Sequence, residues 1–113
     1  MKFLSTVTIG KYSYRICKKT VFVHDEYRYI DFFAVYGKND QQLCSAFMSD
    51  KINDSIIVKG QFSFTQKYLE FREYYSSPSR DSVIKRFYPN KTGKLILLSL
   101  IEYKNGVEKI TRY

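Results

Sequence analysis

A β-hairpin is encoded by residues 95–113, which read LILLSLIEYKNGVEKITRY. Residues 95–103 form a nearly continuous apolar run, and residues 107–113 alternate between apolar and polar types, as strands do. Between the two runs stands Lys-Asn-Gly at residues 104–106, a turn whose last two residues tolerate a positive φ. The same pattern of short apolar runs separated by turn residues recurs toward the N-terminus, and it predicts strands and turns along the whole chain.

Short runs with a period of two fill the rest of the sequence, and clusters of Gly, Asn and Asp separate them. Such runs predict strands joined by tight turns, which is the pattern of an antiparallel meander. Besides the C-terminal hairpin, we expect strands near residues 3–9, 12–16, 20–24, 27–36, 41–48, 55–64 and 83–88.

Two of these strands carry a more specific prediction. Residues 27–36 are apolar on both faces, with Ile30 and Phe32 on one side and Phe33 on the other. This pattern indicates a strand that is buried on both sides. Gly60 stands inside the run 55–64, and a glycine within a strand predicts a β-bulge.

Residues 66–75 are the ambiguous part of the chain. Their aromatic residues fit the spacing of a helix that Thr65 would cap, but they also fit a strand, and we predict a strand. The serine-rich residues 76–82, which include Pro78, predict a loop.

Length and composition define the fold class. The chain has 113 residues, of which 44% are hydrophobic and 18% aromatic, and this is enough apolar surface for one core. Tyr, Phe, Val and Ile favour strands. We therefore predict a single domain, residues 1–113, of the all-β class with room for one short helix. The expected architecture is an antiparallel meander of about 7–9 strands that forms a small barrel or a sandwich, with the barrel as first choice.

The residue types needed for catalysis or for metal binding are sparse. The single histidine, His24, precedes Asp25, and on a strand these two side chains point to opposite faces, so they predict a solvated hairpin tip rather than a metal site. Glu70 and Glu73 have basic neighbours and are interpreted as solvated charge pairs rather than an acid/base pair. No motif for phosphate binding or nucleophilic catalysis occurs. We expect no enzyme activity, no catalytic residue, no metal and no cofactor.

The cysteines and the apolar runs bear on the compartment. Cys17 and Cys44 are far apart and have no histidine nearby, which favours reduced, structural thiols. The apolar run at 95–101 is much shorter than the ~20 residues of a membrane-spanning helix, and the N-terminal residues are interrupted by Ser and Thr. We expect a cytoplasmic protein without membrane contact.

Positive charge is concentrated at the two ends of the sequence. Residues 1–24 hold five bases and no acid, and residues 85–113 hold seven bases and two acids, so each segment carries +5 of the total +8. Residues 25–84 hold seven bases and nine acids, a net charge of −2. In a closed meander the first and last strands pair, so we expect the two basic segments to merge into one positive surface.

That surface is the predicted binding site. Lys and Arg would contact phosphates while tyrosine rings stack on bases, which favours nucleic acid or a nucleoprotein as the partner. The residues that we expect to form this basic and aromatic patch are Tyr12, Tyr14, Arg15, Lys19, Lys85, Arg86, Tyr88, Lys109, Arg112 and Tyr113.

Other interpretations of the same residues remain open. Tyr and Arg are also enriched at protein–protein hot spots, so an inhibitor or immunity-type module that contacts an acidic protein is the alternative. A third hypothesis is a barrel that encloses an apolar ligand. Surface lysines also protect strand edges from aggregation without binding anything.

Overall fold

The fold is a nine-stranded antiparallel sheet, seen in a computed structural model that describes residues 1–53, 55–76 and 81–113. The order of the strands in the sheet is their order in the chain. A short 3-10 turn, His24–Glu26, stands between the second and third strands. The strands are β1 (Lys2–Ile9), β2 (Tyr12–Val23), β3 (Arg28–Tyr36), β4 (Gln42–Ile52), β5 (Ser55–Phe64), β6 (Leu69–Tyr75), β7 (Ser82–Pro89), β8 (Leu95–Lys104) and β9 (Val107–Arg112).

The all-β antiparallel meander is confirmed, and the predicted barrel is wrong. Among the described residues, β1 and β9 lie at opposite edges of an open sheet and do not pair. The predicted merging of the N-terminal and C-terminal basic segments by strand closure is therefore wrong as well. The hypothesis of an apolar ligand inside a barrel is wrong for the same reason, because an open sheet has no barrel interior.

One core is shared by both halves of the sheet. Its buried residues come from the first four strands and from β6, β7 and β8, so the sheet folds over and covers one of its own faces. This burial stabilises an open sheet without closure, because the apolar face is removed from water by the other half of the same sheet. The core residues are Val7, Ile9, Tyr14, Ile16, Phe33, Val35, Ala46, Leu69, Phe71, Phe87 and Leu95.

The sheet folds where β4 crosses Gly60 of β5. A Cβ atom on Gly60 would lie 1.7 Å from the carbonyl oxygen of Phe47, so only glycine permits this approach. The side chain of Glu73, directly opposite Gly60 in the β5–β6 register, accepts a hydrogen bond from the Phe47 N–H at 3.0 Å. Pairing between β5 and β6 passes through Gly60 without a shift in register, so the predicted bulge at Gly60 is wrong.

Both glutamates of β6 are buried, and their interpretation as solvated charges is wrong. Glu73 is 0% exposed, and the ammonium of Lys85 lies 2.9 Å from its Oε1, without the alignment of a hydrogen bond. Glu70 accepts hydrogen bonds of 2.9 Å from both Arg72 and Arg86. Burial raises the pKa of Glu70, but these two guanidinium groups outweigh burial and hold the pKa below its usual value.

Two local predictions are confirmed. The segment 66–75 contains strand β6, and Thr65 caps a turn rather than a helix, because its Oγ1 accepts hydrogen bonds from the N–H groups of Lys67 and Tyr68 at 3.0 and 3.2 Å. In β3, three consecutive residues, 33–35, are buried, as expected for a strand that is covered on both faces. The loop predicted around Pro78 includes residues 77–80, which lie outside the described part of the chain.

Alternate turns of a meander lie at the same end of its sheet, since each strand reverses direction. Residues 10–11, 37–41, 65–68 and 90–94 therefore occupy one end. The other end holds the turns at 24–27 and 105–106 together with the connections that follow β4 and β6. Across the part of the chain that the structure describes, no helix has the length and apolar character needed to cross a membrane.

Candidate functional site

The ten predicted site residues are divided between two cavities and three isolated positions. Lys19 is exposed opposite Phe32, and Lys109 is exposed opposite Glu102. Lys85 forms an ion pair with Glu73. One cavity has a volume of about 720 Å³, and a smaller one has about 450 Å³. The larger contains the predicted residues Tyr12, Tyr14 and Arg15, and the smaller contains Arg86, Tyr88, Arg112 and Tyr113.

The larger cavity lies where three turns meet. It is lined by the start of β2, by Gly37 and Lys38 of the β3–β4 turn, and by Thr92 and Gly93 of the β7–β8 turn. A neighbouring depression of about 280 Å³ continues between the same two turns and reaches Lys94. Segments that are remote in sequence thus surround one concave surface.

We name the four turns 10–11, 37–41, 65–68 and 90–94 the basic end. They hold five lysines and one acid, Asp40, for a net charge of +4. At the opposite end, the described turn residues include Asp25, Glu26 and Asp81 and no lysine or arginine, a net charge of −3. The lysines of the basic end are Lys11, Lys38, Lys67, Lys91 and Lys94.

Asn90 holds the β7–β8 turn of the basic end. Its Oδ1 accepts hydrogen bonds from the N–H groups of Thr92 and Lys94, both at 3.0 Å, and from the Thr92 hydroxyl at 2.9 Å. The Asn90 N–H donates to the Lys94 carbonyl at 2.9 Å, and the Asn90 carbonyl accepts from the Gly93 N–H at 3.1 Å. Such a turn presents Lys91 and Lys94 from an ordered backbone, which lowers the conformational entropy lost on binding.

Two tyrosines of β2 attach this turn to the other half of the sheet. The Tyr12 hydroxyl donates to the Lys91 carbonyl at 2.6 Å, and the Tyr14 hydroxyl donates to the Gly93 carbonyl at 2.5 Å. A Cβ atom on Gly93 would lie 2.7 Å from the Tyr12 ring, and Gly93 has a φ of +86°. Glycine is therefore needed here both for the backbone conformation and for the approach of the ring.

The two tyrosines differ in what they offer a ligand. Tyr14 is 2% exposed, and burial raises its pKa to about 12, so it is a structural residue that stays neutral. Tyr12 is half-buried, and the Lys11 ammonium lies 5.4 Å from its ring centroid, within the range of a cation–π contact. Tyr12 is the aromatic residue that a ligand in the cavity can reach.

Arg15 positions the β3–β4 turn. Its guanidinium forms an ion pair with Asp40, donates to the Gly37 carbonyl at 3.4 Å and lies 6.0 Å from the Tyr36 ring centroid. Because the carboxylate of Asp40 neutralises part of the charge of Arg15, this arginine contributes less positive charge to the site than the sequence implied. Lys11, Lys38, Lys91 and Lys94 form no ion pair with the described carboxylates.

The smaller cavity is less basic. Arg86 is held by Glu70 and lies 4.9 Å from the Tyr68 ring centroid, and the Tyr68 and Tyr88 rings are 5.3 Å apart. Leu98, Ile101 and Ile110 contribute much of the remaining lining. With Arg86 neutralised by Glu70, Arg112 is the remaining base of this lining, against Lys11 and Lys38 in the larger cavity, so the basic end suits a polyanion better.

Sequence reasoning missed Lys38 as a site residue and did not single out Lys11, Lys91 and Lys94 from the other bases. Each of them stands in or beside a turn, whereas the predicted patch was assigned to paired strands. A signal was present in the sequence. Counting charges over alternate predicted turns, which share an end of any meander, separates these lysines from the acidic turns.

Comparison with protein-family models, with curated proteins and with solved structures gave no match. Within residues 1–53, 55–76 and 81–113, no group of three or more His, Cys, Asp or Glu side chains is arranged to hold a metal ion.

Proposed function

We propose that the protein binds nucleic acid, free or within a nucleoprotein, through the basic end and without catalysis. The observation that carries the proposal is the convergence of Lys11, Lys38 and Lys94 from three separate turns around the cavity that contains Tyr12 and the depression that adjoins it. Lysines spaced around a concave surface attract a phosphate backbone, and release of counterions from that backbone drives association. Tyr12 is half-buried in this cavity and provides the aromatic ring on which a base can stack.

The ordered backbone of the basic end supports this role. The turn at 90–94 is held by Asn90, and the turn at 37–41 is held by Arg15 and Asp40, so Lys38 and Lys94 come from ordered turns. A preformed site loses less entropy on binding than a disordered basic tail does. The acidic opposite end would also orient the protein on a polyanion, with the basic end foremost.

The test is a titration of labelled single-stranded and double-stranded oligonucleotides by fluorescence anisotropy over a range of salt concentrations. If four lysines each neutralise one phosphate, the slope of log K against log salt for a single strand is about −3. The triple variant Lys11→Glu/Lys38→Glu/Lys94→Glu should weaken binding more than ~10-fold and flatten the slope.

A matched control distinguishes the effect of the basic end on binding from the effect of net charge alone. The triple variant Lys19→Glu/Lys51→Glu/Lys59→Glu changes the total charge equally, but its three exposed residues lie outside the turns of the basic end. The control should retain most of the affinity. Undetectable binding at ~50 mM salt, or equal losses in both triple variants, would contradict the proposal.

A protein-binding module is the second candidate, and exposed aromatic residues at the opposite end favour it. Tyr27 and Tyr29 are 86% and 66% exposed, and the ring of Phe22 lies 4.9 Å from Tyr29 and 4.8 Å from His24. Exposed tyrosines are common anchors of protein interfaces. A stoichiometric, salt-resistant protein partner that is lost in Tyr27→Ala/Tyr29→Ala, with oligonucleotide binding undetectable, would select this candidate.

We assign the proposed function to the cytoplasm. Cys17 and Cys44 are free thiols, and burial raises the pKa of Cys44 to about 12, so its thiol stays protonated and unreactive. Unpaired cysteines favour a reducing compartment, where nucleic acid and nucleoprotein are accessible.

A further inference from the structure

Strand β9 forms one edge of the sheet, and within residues 1–53, 55–76 and 81–113 no strand pairs with its outer side. Its residues Val107–Arg112 are exposed except for the half-buried Thr111, and Val107 and Ile110 expose 67% and 48% of their surface. An exposed strand edge presents free N–H and C=O groups, to which a further strand can add.

The direction of the free backbone groups follows from the pairing of β8 with β9. The Tyr113 N–H donates to the Leu98 carbonyl at 3.0 Å, and the register is regular along the whole pair. Because hydrogen bonds alternate along an antiparallel strand, the odd-numbered residues of β9 bond to β8. The N–H and C=O groups of Glu108, Ile110 and Arg112 therefore point away from the sheet.

These three residues are complementary to a second copy of themselves. An antiparallel pair related by a two-fold axis at Ile110 places Ile110 opposite Ile110 and Glu108 opposite Arg112 of the second copy, twice by symmetry. All of these residues have outward-pointing backbone groups, so the pairing also satisfies their hydrogen bonds. Opposite charges on facing residues stabilise such pairs.

Neighbouring registers bring less favourable side chains face to face. A two-fold axis at Lys109 places two lysines directly opposite each other, and an axis at Thr111 places Arg112 opposite Ile110 instead of opposite Glu108. The other edge of the sheet is not self-complementary, because β1 holds a base, Lys2, but no acid, and a shift of register between Phe3 and Ser5 distorts it.

We infer that two copies of this chain associate through their β9 edges, in the antiparallel register centred on Ile110, to form one continuous sheet. The two β9 strands run in opposite directions, so the basic ends of the two copies lie on opposite sides of the dimer. The inference goes beyond the proposed function and does not depend on it, since neither basic end is covered.

The test is sedimentation equilibrium of the full chain over a range of concentrations up to ~1 mM. The single variants Glu108→Arg and Arg112→Glu each place like charges at two symmetric positions and should raise the dimer dissociation constant roughly tenfold. The charge-swapped double variant Glu108→Arg/Arg112→Glu restores opposite charges and should return the constant to near that of the wild type.

A backbone variant gives an independent result. Ile110→Pro removes an N–H that faces solvent in the monomer, so the fold tolerates it while the central hydrogen bonds of the dimer are lost. Thermal unfolding of each variant establishes that it is folded. A wild-type chain that remains monomeric, or a double variant no tighter than the singles, overturns the inference, whereas loss of oligonucleotide binding bears only on the basic end.

Discussion

The two ends of the sheet are built from the same kind of element and differ in charge and in contacts. The turns of the basic end carry a net +4 and surround a cavity, and two tyrosine hydroxyls bond one of them to β2. At the opposite end, which is acidic, Gly106 has a positive φ, and a Cβ atom on it would meet nothing within 4 Å. Tyr27 at the same end is 86% exposed. Charge and preorganisation together therefore distinguish the basic end, the proposed binding surface, from the turns at the opposite end.

The comparison also shows what a linear count of charge conceals. Along the sequence, the bases gather at the two termini. In the sheet, Lys38 from the net-acidic middle of the sequence joins Lys11 and Lys94, because their turns alternate with the acidic turns. The relevant unit for a meander is the end of the sheet, and each end collects every second turn.

The largest expected effect is at the fold of the sheet. Gly60→Ala places a Cβ atom 1.7 Å from the Phe47 carbonyl oxygen, so the β4 backbone must move and its hydrogen bond to the buried Glu73 must break. We expect a loss of about 3 kcal/mol or more in the free energy of unfolding, measured by urea denaturation.

Gly37→Ala is the control for Gly60→Ala. Its Cβ atom would meet only the end of the Leu43 side chain, at 3.0 Å, which can move aside, so the change should cost about 1 kcal/mol or less. If the two variants were equally stable, the close crossing of β4 over β5 would not be what folds the sheet.

An intermediate effect should separate the two ends directly. Gly93→Ala and Gly106→Ala both place alanine at a positive φ, +86° and +76°, which costs about 1 kcal/mol. Only Gly93→Ala also displaces the Tyr12 ring. We expect a larger loss of stability and a weaker oligonucleotide affinity for Gly93→Ala, measured by urea denaturation and fluorescence anisotropy. Equal losses of both quantities would show that Tyr12 does not shape the basic end.

The smallest effect concerns the Tyr14 hydroxyl. Tyr14→Phe leaves the Gly93 carbonyl without this hydrogen bond and should cost about 1 kcal/mol at pH 8. The folded-state pKa is raised from 10.0 to about 12, so the unfolded chain loses this proton first, and the stabilisation is present below pH 10 and is lost as the pH rises toward 12.

Urea denaturation of both proteins between pH 8 and pH 11 measures this contribution. The wild type should lose more stability than Tyr14→Phe over that range, since phenylalanine does not titrate. Parallel declines would indicate that the hydroxyl of Tyr14 is equally free to ionise in both states.

Local patterns were sufficient for the strands and for part of the site. Alternation of apolar residues predicted the strands of the meander, and the turn residues at 104–106 predicted the final hairpin, because both act over a few neighbouring residues. Tyr12 and Arg15, which line the larger cavity, were predicted as site residues from their types and their place in the N-terminal basic segment. Gly60 was recognised as unusual, but its role depends on Phe47, which no local pattern connects with it.

The open form of the sheet, the burial of β6 and the cavity at the basic end were decided by contacts between distant residues. A period of two says that one face of a strand is apolar, and a barrel or a folded sheet buries that face equally well. Glu73 has a side chain typical of the surface but stands on the same face of β6 as Leu69 and Phe71, and only the crossing of β4 supplies the N–H that holds it in the core. The cavity at the basic end likewise depends on Tyr12 and Tyr14, which bond to the turn at 90–94 although the paired residues are 79 positions apart in the chain.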